Sequence, residues 1–201
     1  MTNMFFEQSI SNFLEAIASD DPVPGGGSVG AYTAATGIAL VIMALKISIK
    51  KTNNKGQLLN LIKRSQFVLD ALKVNLIEDI ECFSSFIEAK NKPNNNEIES
   101  NNRQLAINEA AIKATAVPIS AASHCVTGLK IAVESIAICR KTILSDVYTG
   151  ANLLNTSCNS ILLNVDANLN LISSKDKRNS YSNAKIKLMT EASDLFHAVK
   201  R

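Results

Sequence analysis

Apolar residues recur at intervals of three and four along most of the chain, which is the spacing of one face of an α-helix. The clearest case steps from Leu58 to Ile87, over about eight turns. No segment alternates convincingly with a period of two. The pattern predicts an all-α bundle of about six helices with long central helices. These helices are predicted over about residues 5–18, 28–50, 57–87, 103–136, 145–172 and 181–199.

Breaks in the pattern separate the predicted helices. Pro22 and the glycines that follow it end the first helix, and the polar stretch NKPNNNEIESNN ends the third. Pro118 lies inside the fourth helix and is predicted to kink or divide it, because proline removes a backbone donor. Ser145 is predicted to cap the fifth helix, and SSKDKRNS precedes the last one.

Composition narrows the class of protein. The 201 residues, 46% of them hydrophobic, suffice for one domain with a core, so a single domain is predicted over residues 1–201. The net charge of +3 is scattered and forms no basic stripe, which argues against a nucleic-acid partner. The cysteines lie too far apart for a metal site and indicate buried residues of a reducing, cytoplasmic compartment. The N-terminal residues lack the pattern of a secretory signal.

The second predicted helix carries no charge from Ser28 to Leu45, which is close to the length of a membrane span. Its first half is small and polar, and we therefore expect a fully buried central helix, with a membrane span as the alternative. Lys50 lies at its end and suits a helix C-terminus. Because this helix is apolar on all sides, the sequence also predicts a dimer or larger assembly.

Three glycines, Gly25–Gly27, stand immediately before this helix in the stretch DPVPGGGSVGA. Glycine allows a ligand to approach the backbone, and the first N–H groups of a helix lack partners within the helix. With the helix dipole and the hydroxyl of Ser28, these groups predict an anion-binding loop. A tight turn between two helices explains the same glycines, so both interpretations stay open.

Asp79 interrupts the apolar stripe of the third helix. A buried carboxylate is costly unless it is hydrogen-bonded, so Asp79 is either a structural partner or an acid/base with a shifted pKa. The fifth helix carries a polar row that is either solvated or lines a cleft. This row consists of Asp146, Gly150, Leu153, Ser157, Ser160, Asn164 and Asn168.

Several stretches together resemble the cyclodeaminase/cyclohydrolase family of folate one-carbon metabolism. The stretch SISNFLEAIASDDPVPGGGSVGA is similar to the opening helix and glycine loop of the family. The pieces MALKISIKK, DIECF, ATAVPI, SDVYTGANLL and LNVDANLNLISSKD follow in the family's order. The resemblance covers nearly the whole chain, and its most specific part is the PGGGS loop followed by a helix of small residues.

The resemblance implies an all-helical, dimeric subunit that acts on a reduced folate, with neither a metal nor a cofactor. It implies a methenyltetrahydrofolate cyclohydrolase or a formiminotetrahydrofolate cyclodeaminase, with a separate formiminotransferase chain as a possible partner. An inactive folate-binding or interaction subunit of the same fold is the alternative. The resemblance assigns substrate binding to Gly25, Gly26, Gly27, Ser28, Lys50, Asn164 and Asn168, and we assign catalysis to Asp79 and Asp146.

Overall fold

The computed structural model describes residues 6, 8–50 and 55–199, and these residues contain α-helices but no strand. The helices are α1 Ile10–Ile17, α2 Gly26–Ile49, α3 Lys55–Lys90, α4 Glu97–Ile136, α5 Leu144–Leu169 and α6 Lys175–Val199. A 3₁₀ turn over Lys141–Ile143 leads into α5. The predicted all-α class is therefore confirmed. Residue 5, where the first helix was predicted to begin, lies outside the described residues.

The centre of the bundle is an antiparallel pair of helices, α2 and α5. Gly30 of α2 lies against Ile161 of α5, whereas Gly37, two turns further along α2, lies against Gly150. Helix α3 packs beside α2, and α4 packs against both α3 and α5. Helix α6 covers α4 and α5 from the other side. This order brings the N-terminus of α2 next to the C-terminal half of α5.

The two central helices touch through their backbones at one point. A Cβ atom added to Gly37 would lie 2.8 Å from the carbonyl oxygen of Gly150, and one added to Gly150 would lie 2.6 Å from the oxygen of Gly37. Neither glycine has a positive φ, so close approach and not an unusual backbone conformation requires them. The pair therefore sets the spacing between α2 and α5.

Helix α2 is buried on most but not all of its surface, contrary to the prediction of a fully buried helix. Ile38, Val41 and Leu45 lie in the core, whereas Met43 is 38% exposed. The reason is that α3 and α5 cover two sides of α2, and no described element covers the third. Both α2 and α4 are long and apolar enough to cross a membrane by length and composition alone, with 61% and 50% of their most apolar windows buried.

Several predicted boundaries were wrong because polar residues extend the helices. Helix α4 begins at Glu97, where the side chain of Asn96 accepts a hydrogen bond of 2.9 Å from the backbone N–H of Glu99. Helix α6 likewise begins at Lys175. Ser145 is not a cap, because the 3₁₀ turn already starts α5 at Leu144. Helix α4 also runs past Pro118 without division.

Candidate active site

A cavity of about 300 Å³ lies where the start of α2 meets α3, α4 and α5. Six of the nine predicted site residues line this cavity. A seventh, Ser28, does not line it but contacts Asp79, which does. The lining residues are Pro22, Val23, Gly25, Gly26, Gly27, Asp79, Cys82, Phe83, Phe86, Ala114, Asn164, Ala167 and Asn168. Among the predicted residues, these include the three glycines, Asp79, Asn164 and Asn168.

The carboxylate of Asp79 is held by the first turn of α2. The hydroxyl of Ser28, which is completely buried, donates a hydrogen bond of 2.6 Å to Oδ2 of Asp79. The backbone N–H of Ser28 donates a second hydrogen bond to the same carboxylate. Helix N-termini bind anions well, and here the anion is a side chain of the protein itself. The predicted anion site of the glycine loop is thus partly filled by Asp79.

The neighbours of Gly27 explain why a glycine is needed there. A Cβ atom on Gly27 would lie 2.1 Å from Oδ1 of Asp79 and 2.8 Å from Nδ2 of Asn164, so α3 and α5 approach the loop at this residue. Gly26 is different, because a Cβ atom there would meet nothing within 4 Å. A side chain at Gly26 would therefore extend into open space at the cavity.

Burial raises the pKa of Asp79 above its usual range, and the two hydrogen bonds from Ser28 oppose this effect without cancelling it. A carboxylate in this state accepts a proton more readily than an exposed aspartate. It also keeps its negative charge close to the cavity. Both properties are those of a general base or of a group that stabilises a cation.

Asn168 reaches the cavity with a defined orientation. Its Nδ2 donates a hydrogen bond of 2.9 Å to the backbone carbonyl of Ala114 on α4. A carbonyl only accepts hydrogen bonds, so the amide nitrogen must face Ala114. The Oδ1 atom of Asn168 is then left to accept a hydrogen bond from a ligand or from water.

The aromatic and apolar wall of the cavity was missed at the sequence level. Phe83 and Phe86 follow Asp79 by four and seven residues, so all three share one face of α3, and Cys82 lies beside them. This spacing was a usable signal, because residues at such intervals from a candidate acid line the same cleft. Two phenyl rings suit a flat heteroaromatic ligand.

Two predicted site residues lie elsewhere in the chain's fold. Asp146 is 18 residues before Asn164, which is about 27 Å along α5. Lys50 is 23 residues after Gly27, about 35 Å along α2. Since α2 and α5 are antiparallel, both residues lie at the end of the bundle opposite the cavity. The expectation that Asp146 shares a cleft with Asp79 is therefore wrong within one chain.

The charge around the cavity is one-sided. Its lining, as far as the described residues go, includes the carboxylate of Asp79 but no lysine or arginine. Lys90 is close by, with its ammonium group 5.6 Å from the ring centre of Phe86. The arrangement favours a cationic or neutral ring system next to Asp79.

Comparisons with known proteins find helical relatives whose names are those of folate enzymes. A sequence profile of the formiminotransferase-cyclodeaminase family matches residues 9–186. The chain is 31% identical to methenyltetrahydrofolate cyclohydrolase of Methylorubrum extorquens over 121 residues, which cover 59% of this chain and 58% of that protein. It is 28% identical to mouse formimidoyltransferase-cyclodeaminase over 167 residues, or 81% of this chain and 31% of the mouse protein.

A solved structure shares the fold. The crystal structure of formiminotetrahydrofolate cyclodeaminase from Thermotoga maritima matches with a TM-score of 0.86 over 98% of this chain and 96% of that chain, at 20% identity. The matched segments span 58% and 31% of the two curated relatives named above. The chain belongs to the formiminotransferase-cyclodeaminase family.

Proposed function

We propose that this chain is a methenyltetrahydrofolate cyclohydrolase, acting at the carbon that bridges N5 and N10 of the reduced folate. One observation carries this proposal: the Asp79 carboxylate lies beside an aromatic-walled cavity, and none of the described residues that line it is cationic. The methenyl substrate is a cation whose charge is centred on the bridging carbon. A carboxylate in a partly dehydrated site stabilises such a cation far better than water does.

Asp79 also supplies the proton transfer that the reaction needs. Water adds to the methenyl carbon and gives one proton to the Asp79 carboxylate, which leaves a neutral tetrahedral carbon bearing a hydroxyl. The bond from this carbon to N5 then breaks as the hydroxyl becomes the formyl carbonyl and its proton passes to N5. The proton on Asp79 leaves to solvent. General base catalysis of this kind contributes about 10²- to 10⁴-fold.

The rest of the folate extends along α3 and α4 in this proposal. The cavity holds the pterin ring between the glycine loop and Phe83. A separate, more open groove of about 590 Å³ lies further along the same two helices, and its lining includes Lys92, Lys113 and Lys177 besides Glu88 and Glu109. The three lysines suit the carboxylates of the substrate's glutamate tail. Lys113→Gln is therefore expected to raise KM more than it lowers kcat.

The direct test is the loss of methenyltetrahydrofolate absorbance with purified protein, corrected for the uncatalysed reaction. A parallel measurement of ammonia release from formiminotetrahydrofolate tests cyclodeaminase activity, the second candidate, which the names of the relatives favour. Folate binding without either activity would instead support the inactive folate-binding subunit. No binding of any reduced folate by calorimetry would contradict the proposal.

The proposal includes a homodimer formed through the outer faces of α2 and α5. Neither helix carries a charged side chain from Gly26 to Leu45 or from Val147 to Val165. Thr36, Ala39 and Met43 are exposed on this side of α2, and Leu163 of α5 is 66% exposed. An uncharged surface of two long helices is typical of a subunit interface.

Such a pairing also accounts for Lys50 and Asp146. A twofold axis across the middle of α2 exchanges its two ends, so each copy's Lys50 and Asp146 approach the other copy's cavity. Mixing two inactive variants, Asp79→Asn and Lys50→Ala, tests this arrangement. Mixed dimers hold one complete site, and activity should return to about a quarter of the wild-type level after subunit exchange. No recovery in demonstrably mixed dimers would contradict it.

A cytoplasmic location is the final part of the proposal. All four cysteines are free, and three of them are buried. Free buried cysteines fit a reducing compartment.

A further inference from the structure

Pro118 lies inside α4, where a proline changes the hydrogen bonds of the preceding turn. In a regular helix, the backbone carbonyl of Ala114 accepts from the N–H of the residue four positions later. That residue is Pro118, which has no N–H, and a proline ring also crowds the carbonyl four residues before it. The carbonyl of Ala114 therefore lacks its usual helical partner, although it lies at the wall of the cavity.

Asn168 of α5 supplies the missing donor. Its Nδ2 lies 2.9 Å from the oxygen of Ala114, and both residues line the cavity. Side chains of neighbouring helices commonly satisfy carbonyls that a proline has released. Here the consequence is directional, because committing the amide nitrogen to Ala114 turns Oδ1 of Asn168 into a fixed acceptor at the cavity.

We infer that Pro118 is a positioning residue for substrate binding, which acts by exposing the Ala114 carbonyl that orients Asn168. The ligand group recognised by Asn168 Oδ1 is then a hydrogen-bond donor, such as a ring N–H or an exocyclic amino group. The inference rests on the proposed function for the nature of this ligand. Pro118 itself is buried and does not line the cavity.

A double-mutant cycle of Pro118→Ala and Asn168→Ala tests the inference. Restoring an N–H at residue 118 returns the Ala114 carbonyl to the helix, so Pro118→Ala should bind 5-formyltetrahydrofolate roughly 3- to 10-fold more weakly. This variant should also melt at a higher temperature, because an interior proline weakens a helix. When Asn168 is already alanine, Pro118→Ala should have little further effect on binding.

The ligand-free proteins provide an independent measurement. Asn168→Ala leaves the Ala114 carbonyl without a donor, so it should lower the melting temperature clearly. In the Pro118→Ala background the loss should be much smaller, since the new N–H satisfies the same carbonyl. Asn159→Ala is the matched control. Asn159 is an asparagine of the same helix whose Nδ2 donates to a backbone carbonyl, that of Asn155, at 3.1 Å, and it lies outside the cavity lining. Its effect should be the same in both backgrounds.

The outcomes separate this inference from the proposed function. Wild-type protein that fails to bind the reduced folate refutes the proposed function, while the stability cycle still decides whether Pro118 and Asn168 are coupled. The inference would be overturned if the effects of the two substitutions on the melting temperature were additive. It would also be overturned if Asn168→Ala bound the folate more weakly while Pro118→Ala bound it as tightly as the wild type.

Discussion

Replacing Asp79 by asparagine separates a catalytic role of this residue from a structural one. The substitution keeps the shape of the side chain, and the new Oδ1 can still accept hydrogen bonds from the hydroxyl and N–H of Ser28. It removes the negative charge and the ability to accept a proton. We expect turnover to fall by ~10² or more, which is about 2.7 kcal/mol of lost transition-state stabilisation, while most folate binding remains.

Asp79→Asn is expected to lower turnover but not to lower the stability of the fold. Hydrogen bonds to a charged group contribute about 1.5–3 kcal/mol and neutral ones about 0.5–1.5 kcal/mol, so each bond from Ser28 weakens by roughly 1 kcal/mol. Against this loss, asparagine removes the cost of burying a charge. The pKa of Asp79 is raised, with burial as its first cause, so the charge penalty is the larger effect.

The linkage of this pKa to stability gives the pH range. The pKa of Asp79 is higher in the folded than in the unfolded chain. Asp79 therefore contributes most to the free energy of unfolding when the pH is below its pKa in the unfolded chain, and this contribution is lost as the pH rises through its pKa in the folded chain. At pH 7 the folded protein therefore carries the full cost of the buried carboxylate. Asp79→Asn should accordingly melt at the same or a higher temperature at pH 7, measured by circular dichroism.

The assay combines both measurements on one preparation, with turnover expressed per folded molecule. Asp70→Asn is the matched control, because Asp70 is an exposed aspartate of the same helix, with Gln66 donating to it at 3.0 Å, and should change neither quantity. A lower melting temperature with normal turnover in Asp79→Asn would refute the reasoning and assign Asp79 a structural role.

The remaining predictions concern the loop, the interface and pH. Gly26→Val should weaken folate binding, measured by calorimetry, because the new side chain enters the open space of the cavity. Its helical content, measured by circular dichroism, should stay the same. Gly27→Ala should lower stability and turnover together, since its Cβ would lie 2.1 Å from Oδ1 of Asp79; normal values would refute the packing argument. Met43→Lys should shift the protein towards the monomer in sedimentation experiments, and a monomeric wild type would contradict the interface. The rate should fall on acidification, with an apparent pKa above that of an exposed aspartate, since catalysis needs ionised Asp79; a pH profile of kcat/KM measures it, and a profile like that of an exposed aspartate would be contrary evidence.

Periodicity was sufficient to predict the helices because each buries an apolar stripe. The three-and-four spacing from Leu58 onwards gave α3 nearly to its ends. The starts of α4 and α6 could not be predicted in this way, because their first turns are polar and exposed. Helix α4 starts at a local hydrogen bond to the side chain of Asn96. Asn96 lies in a polar stretch whose composition is equally typical of a loop, so the sequence pattern did not distinguish the two.

The candidate site was predictable where one helix face or one loop defines it. Asp79 was identified because a carboxylate stood on an apolar stripe, and the glycines because a helix follows them. The fold then determined which residues meet. The spacing of 18 residues already placed Asp146 and Asn164 about 27 Å apart on one helix, but it did not show which end of that helix meets the glycine loop. The pairing of Ser28 with Asp79 spans 51 residues and depends on how α2 packs against α3.

The backbone contact between Gly37 and Gly150 determines how this chain tolerates mutation and how libraries of variants should be designed. Both positions exclude even an alanine methyl group unless α2 and α5 move apart. Gly27 lies ten residues from Gly37, about 15 Å along α2. A larger side chain at Gly37 or Gly150 would therefore also shift the cavity residues of α2 relative to those of α5. Diversification aimed at new substrates should leave Gly37 and Gly150 unchanged and concentrate on Gly26, where an added side chain meets empty space.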